Sequence, residues 1–479
     1  MATVAEKTIK TSFWSGIERF ANLGVNLLVQ LLLARILTPS DFGVVAMMTV
    51  FVGISQAVSE CGFTNALIRK RDCNQRDYST AFYVNFGLSI ILYAILFVSA
   101  PYIASFYKMP LVKSLLRVYA FVFIFEALRI VQYSKLCKRL DFKTIARISS
   151  LSVFLSGVIG VVMAYMNMGT WALVGQLLSA SVIYFLLIAV KEKWMPTKCF
   201  DKESFRYLWG FGSKMLLTGI ISRLYSNINS LVIGRFYNSS VLGIFNNGQR
   251  YGLFYPNLID NVFVKNSLPI MADLQDNKTR LCEVYRKFVQ LVSFVTFPAC
   301  MVIVVLAKPI VVLLLTEKWV GAVPYLQLFA LTALYIPANS INLNVLQVMG
   351  RTDLTLKAEI VKKSIGFIVV FALVSFGPLY LAIGSSMLCL FANYVNLYCA
   401  KIVLGLSMRQ QISDLGGIFL SSIVCAILAF FVTLLNIDYT LQILCGCVVS
   451  IFAYVVIIHY FTHYELFSQL LTIMQNRKK

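Results

Sequence analysis

Fourteen stretches of about twenty predominantly apolar residues alternate with short polar connections along the chain. They cover roughly 12–34, 42–67, 79–103, 114–134, 148–166, 170–190, 207–234, 243–266, 287–307, 324–346, 361–377, 379–400, 415–435 and 440–461. A helix of that length crosses about 30 Å of hydrocarbon, and a helix also satisfies its own backbone polar groups where no water is present. The pattern predicts an all-α integral membrane protein with about 14 transmembrane helices. Tight links at Met166 to Gly169 and at Gly377-Pro378 make hairpins of the fifth and sixth spans and of the eleventh and twelfth.

The first span interrupts its apolar run with Glu18, Asn22, Asn26 and Gln30, four residues apart, and Arg19 beside the first of them. That spacing puts them on one helix face, which hydrocarbon cannot solvate, so the face must look into protein or a wet cavity. The seventh span repeats the device with Lys214, Thr218, Ser222, Ser226 and Ser230, and with Arg223 and Asn227 alongside. The eighth carries Asn246, Arg250, Asn257, Asn261 and Lys265 next to Asp260, and the second carries Gln56 and Glu60. Five cations (Arg19, Lys214, Arg223, Arg250, Lys265) thus stand against three carboxylates (Glu18, Glu60, Asp260), which favours an anion. Arg19, Lys214, Arg223 and Arg250 are the candidate binding cations. Asn22, Asn26, Gln30, Asn227, Asn246, Asn257 and Asn261 are candidate polar lining. The plainer alternative is that these groups neutralise one another between helices, and Lys214 and Lys265 lie near enough to span ends to snorkel.

The two striped helices end alike. Ala34-Arg35-Ile-Leu-Thr-Pro-Ser-Asp-Phe-Gly43 and Gly234-Arg235-Phe-Tyr-Asn-Ser-Ser-Val-Leu-Gly243 align at an offset of 200. Lys138-Arg139-Leu-Asp141 after the fourth span likewise parallels Gly350-Arg351-Thr-Asp353 after the tenth. Six helices per copy is an even number, so both copies run the same way, about a pseudo-twofold axis along the membrane normal. The expected organisation is a six-helix lobe over 1–195, a second over 196–404, and two further helices with a tail over 405–479.

Composition agrees with a bilayer as solvent: 59% of residues are hydrophobic and 13% charged, against about 45–50% and 25% in soluble domains. The net charge of +21 would suggest nucleic acid in a soluble chain. Here 29 of the 42 Lys and Arg fall in connections on the side of the N-terminus and 7 on the other, residues at span ends being counted with the adjoining connection. The excess therefore reads as topology, with both termini cytoplasmic and the inner loops against anionic lipid, and no nucleic acid is expected as a partner. The polar start Met1 to Lys10 and the long striped first span do not resemble a cleavable signal. The eleven cysteines fall in spans or inner loops and are expected to be free thiols.

Glu126 and Arg129 in the fourth span, three residues apart, suit a local ion pair. Asn339, Asn342 and Gln347 in the tenth span and Asn393 and Asn396 in the twelfth suit interhelical hydrogen bonds. His459 and His463 lack a third ligand nearby and read as interfacial residues; no metal or cofactor is expected.

The motif from Phe13-Trp14-Ser-Gly16 through Gly43, the segment Lys308-Pro-Ile-Val-Val-Leu-Leu-Leu-Thr-Glu-Lys-Trp319 and the fourteen-span plan resemble the polysaccharide-transporter branch of the multidrug/oligosaccharidyl-lipid/polysaccharide exporter superfamily. The resemblance implies two six-helix lobes in a V. It also implies a bacterial inner-membrane flippase that moves undecaprenyl-diphosphate-linked oligosaccharide from the cytoplasmic to the periplasmic leaflet. O-antigen, capsule or exopolysaccharide assembly is the implied setting, with a polymerase and a chain-length regulator as candidate partners. The family's contacts lie on the first, second, seventh and eighth helices, where Arg19, Arg223 and Arg250 stand. Glu60 or Asp260 would couple transport to a proton or sodium ion. A drug/cation antiporter of the same superfamily would need a less cationic path. A membrane polymerase or ligase would need a large outer catalytic loop, and the outer connections are short.

Overall fold

The computed structural model of the protein describes residues 23–60, 63–70 and 72–461. Among them there is no strand, and each of the fourteen apolar intervals is built from helix. In chain order the helices are α1 (Leu23–Ile36), α2 (Pro39–Glu60), α3 (Phe63–Arg69), α4 (Gln75–Phe106), α5 (Leu111–Tyr119), α6 (Val122–Lys138), α7 (Phe142–Tyr165), α8 (Thr170–Lys191), α9 (Lys202–Ser226) and α10 (Ile228–Phe236). There follow α11 (Ser239–Ile259), α12 (Lys265–Ala272), α13 (Lys278–Val305), α14 (Ala307–Leu315), α15 (Val323–Thr332), α16 (Ile336–Val348), α17 (Thr352–Leu373), α18 (Pro378–Leu404), α19 (Met408–Leu434) and α20 (Tyr439–Phe461).

Nine spans among the described residues are long and apolar enough to cross a membrane. Of the other intervals, the first is described only from Leu23 onward, and four depart for a local reason. The fourth breaks at Ala120-Phe121. The seventh breaks at Asn227, whose Nδ2 joins its own backbone N–H on the Arg223 carbonyl, at 2.9 and 3.2 Å. The eighth contains Pro256 and then relaxes into a π-helical turn over Asp260–Val264. The eleventh carries Lys357, Glu359, Lys362 and Lys363 in its first half.

The chain forms two compact units that divide between Gly243 and Ile244. In the first, α1 packs on the α7–α8 hairpin through Val29, Leu33, Leu37, Ala164 and Leu173. The hairpin closes through Asn167 and Gly169, both at positive φ. In the second, α12, α13, α16 and α18 share a core of Met271, Leu281, Val292, Ile341, Leu346 and Val403, and Gly377 at φ 126° turns α17 into α18.

Two close approaches fix the helices that carry the polar stripes. A Cβ on Gly43 would lie 1.7 Å from the Ser239 carbonyl oxygen, and one on Gly243 would lie 1.9 Å from the Pro39 carbonyl oxygen. Positions 39 and 239, like 43 and 243, correspond in the internal repeat, so the first turns of α2 and α11 cross symmetrically, glycine against backbone. Farther along α11, Gly248 and Gly252 press on the backbone of α15, within 2.9 Å of the Ala322 and Leu326 carbonyls for an added Cβ. Small residues four apart allow this spacing in a membrane, where dispersion and not water exclusion draws helices together.

The connection from α8 to α9 is strapped to the start of α4. Trp194 Nε1 donates to Gln75 Oε1 at 2.8 Å, and Gln75 returns a bond to the Met195 carbonyl. Asp77, 2% exposed, caps α4 with Asn74 and accepts from Ser204 and from Lys70, at 2.5 and 2.7 Å. The Asp77 hydrogen bond holds the Lys70 ammonium above its ordinary range.

Gly43→Ala and Gly243→Ala should each destabilise the protein by about 1–3 kcal/mol, because backbone must move to admit the methyl. Gly87→Ala, with open space around it, should be neutral or stabilising by up to about 1 kcal/mol. Thermal unfolding of detergent-solubilised protein reads all three, and equal behaviour would contradict the packing. Asp77→Ala, which strands Lys70 and Ser204 and uncaps α4, should cost about 2–4 kcal/mol by the same measurement.

Candidate functional site

Arg19 and Asn22 lie outside the described residues, as does Glu18, and the side chains of Glu60, Lys214 and Lys265 are not described. The remaining candidates can be placed.

On α1, Asn26 is half-buried. One turn later Gln30 is 7% exposed and its Nε2 donates to Gln176 Oε1 on α8 at 3.3 Å. The α1 stripe therefore turns from an accessible to a packed position along its length, and Gln30 ties α1 to the hairpin.

On α9, Gly219 rests on Ala57 of α2, and Asn227 approaches Gly53 to 4.0 Å of where its Cβ would be. Arg223 lies between these two packing points in sequence, yet it is exposed together with Ser222 and Ser226. Its carbonyl accepts from Ser226 Oγ and Asn227 Nδ2 at 3.0 and 2.9 Å, where α9 ends.

On α11 the division of faces is clear. Gly248 and Gly252 are buried against α15, and Asn247 is 3% exposed. Arg250, two positions from each glycine, lies about 200° away around the helix. It is exposed, as is Asn257, while Asn246, Asn261 and Asp260 are half-buried. Asn261 Nδ2 donates to the Asn257 carbonyl at 2.8 Å, the backbone group freed where the helix enters the π turn. Asn344 of α16 braces the other end of that turn, donating to the Val264 carbonyl and Ser267 Oγ at 3.1 and 3.0 Å. A π turn held by side chains from a neighbouring helix is a common way of aiming functional groups.

Glu126 and Arg129 form the expected ion pair at 3.7 Å. Gln56 Nε2 of α2 also donates to Glu126 Oε1 at 3.3 Å, and Arg129 stacks on the Tyr184 ring at 4.4 Å. In the second unit, Asn396 donates to Asn339 at 2.5 Å, as expected for interhelical glue. Lys362, 9% exposed, joins them through Asn396 and pairs with Glu359. That buried lysine was missed by the stripe reading; its signal is the i, i+3 spacing from Glu359 inside an apolar run. Ser59, Asn85 and Ser89 form a second buried polar cluster, between α2 and α4.

Among the described residues no three His, Cys, Asp or Glu gather as metal ligands. The accessible chemistry is cationic and amide-rich: guanidinium forks for an oxyanion, and Asn side chains for hydroxyl groups.

A family model described as a polysaccharide biosynthesis protein matches residues 32–324. The teichuronic acid biosynthesis protein TuaB of Bacillus subtilis is 25% identical over 445 residues, 92% of either chain. The lipopolysaccharide biosynthesis protein WzxC of Escherichia coli is 25% identical over 427 residues, 86% of this chain and 85% of that one. The solved structure of the lipid II flippase MurJ, in an inward closed conformation, shares the fold with a TM-score of 0.75 at 13% identity, over 92% of this chain and 97% of that one. The chain thus belongs to the polysaccharide biosynthesis protein family.

Proposed function

We propose that the protein is a flippase for an isoprenoid diphosphate-linked oligosaccharide, carrying it from the cytoplasmic to the outer leaflet of a bacterial inner membrane. The observation that carries this reading is the pair of exposed arginines, Arg223 on α9 and Arg250 on α11, the latter opposite the face that Gly248 and Gly252 pack on α15. An arginine in a membrane-spanning helix is costly to leave in hydrocarbon and is met by protein, water or a polar guest, and the guest proposed here is the substrate. A diphosphate bound by guanidinium forks, with sugar hydroxyls on Asn227, Asn246, Asn257 and Asn261, matches the groups available. Arg19 and Lys214 would extend the cationic lining, with Asn22 and Asn26 on the first helix, while Gln30 is taken up by Gln176.

The lobe organisation over 1–195 and 196–404, with two added helices over 405–479, would support alternating access, and both termini would be cytoplasmic. TuaB and WzxC are named for teichuronic acid and lipopolysaccharide biosynthesis, so the substrate class proposed is a polysaccharide repeat unit on its lipid carrier. A polymerase and a chain-length regulator would act on the product. Glu60 and Asp260 are the proposed sites for coupling to a proton or sodium ion; the π turn at Asp260 supports that role. Nothing in this transport scheme makes or breaks a covalent bond.

Arg223→Ala and Arg250→Ala should each reduce surface polysaccharide at least tenfold at unchanged protein level, as expected for the loss of a charge-assisted bond worth about 1.5–3 kcal/mol. Lipid-linked oligosaccharide should accumulate inside, and Arg250→Lys should restore part of the export. Normal export by both alanine variants would overturn the assignment. Asp260→Asn should lower transport and flatten its dependence on the proton or sodium gradient in vesicles; an unchanged dependence would remove Asp260 from the coupling.

A further inference from the structure

Away from the arginine-bearing faces, the second unit holds a cavity of about 400 Å³ walled by α13, α16, α18 and α19. Its chemistry is graded. At one end Arg286 clamps Asp414 through Nε and Nη2, at 2.7 and 2.6 Å, and the Tyr285 hydroxyl lies 2.7 Å from Asn342 Oδ1 and 3.0 Å from Gln411 Oε1. The other end is aromatic, lined by Phe297, Tyr335 and Phe419. From Arg286 to Phe297 the helix rises roughly 16 Å.

Two polar atoms on the wall have no hydrogen-bond partner: Nδ2 of Asn342, a residue only 1% exposed, and Oδ1 of Asn393. An unmet buried amide costs about 1–3 kcal/mol, which a purely structural core avoids. Leu390, Tyr394 and Ile412 line the cavity and are also exposed on the unit's surface. In a membrane-spanning unit such residues face hydrocarbon, so bilayer lipid stands at the mouth at high local concentration. Beyond the polar end, Arg409 and Lys401 are exposed, one turn from Ile412 on α19 and from Leu397 on α18. The Arg286 Nη1 is left over from its clamp on Asp414.

We propose that this cavity binds an anionic glycerophospholipid of the bilayer. One acyl chain fills the aromatic end, an ester carbonyl accepts from Asn342 Nδ2, and the phosphate rests against Arg409, Lys401 and the outer edge of Arg286. A length of about 16 Å, apolar inside and basic at the rim, follows the profile of such a lipid in one leaflet. A prenyl diphosphate has no carbonyl between chain and phosphate to meet Asn342, so the transported carrier is the poorer fit. By the distribution of Lys and Arg in the connections, the basic end lies in the cytoplasmic leaflet. The site is separate from the proposed transport residues and stands or falls without them.

The test is native mass spectrometry, with lipid extraction, of the full-length protein purified in mild detergent and then titrated with phosphatidylglycerol. The wild-type protein should retain about one phosphatidylglycerol per chain. Arg409→Gln combined with Lys401→Gln, both surface changes, should weaken its binding about tenfold, the loss of two charges near a lipid phosphate. Ala338→Phe, which fills the cavity, should abolish retention; should that variant fail to fold, the surface pair decides alone. Equal retention by the surface pair and the wild type, a retained prenyl lipid in place of a phospholipid, or no retained lipid in the wild type would overturn the proposal.

Discussion

A polar group in hydrocarbon must find a partner or reach water, and this constraint organises the molecule. It explains why the described spans are built from helix, and why serines inside them turn back onto carbonyls of the preceding turn, as Ser134, Ser152 and Ser422 do on Ile130, Ile148 and Ile418. It also sorts the polar side chains into two groups. Gln30 with Gln176, Asn396 with Asn339, and Glu126 with Arg129 and Gln56 are absorbed by neighbouring helices. Arg223 and Arg250 remain exposed. The first group is structure; the second carries the binding role proposed above.

Helices that carry such groups need support on their other faces. Glycine provides it where backbones touch, at Gly43 and Gly243 and again at Gly248 and Gly252. The reciprocal contact of positions 43 and 243 with the carbonyls of 239 and 39 is the internal repeat expressed as packing, since equivalent residues make equivalent contacts. The α11 glycines then orient Arg250 by geometry alone: two positions away on a helix is nearly the opposite face.

Much of this was legible in the sequence. The apolar runs gave the helices because a twenty-residue apolar stretch has few alternatives in a bilayer, and the two hairpins followed from short links containing glycine. The Glu126–Arg129 pair followed from spacing, and interhelical bonding by Asn339 and Asn396 from the cost of leaving amides unpaired, though not that the two would meet each other. The breaks at Ala120-Phe121, at Asn227 and over Asp260–Val264 were not legible, because hydropathy reports how apolar a run is and not how its backbone hydrogen bonds are registered. The stripe on α1 treated Asn26 and Gln30 alike, yet a single helix face can start accessible and end packed. Lys362 escaped notice because its partners, Glu359 and Asn396, lie on two different helices.

Water accessibility of the arginine positions tests the central claim most directly. In a cysteine-free background, Arg223→Cys and Arg250→Cys would be exposed to a small membrane-impermeant thiol reagent, with Ile368→Cys and Phe371→Cys, on an exposed apolar face of α17, as controls. The account predicts rapid labelling at 223 and 250 and slow labelling at 368 and 371. Labelling at 223 and 250 as slow as at the controls would place both arginine positions in lipid and contradict the account.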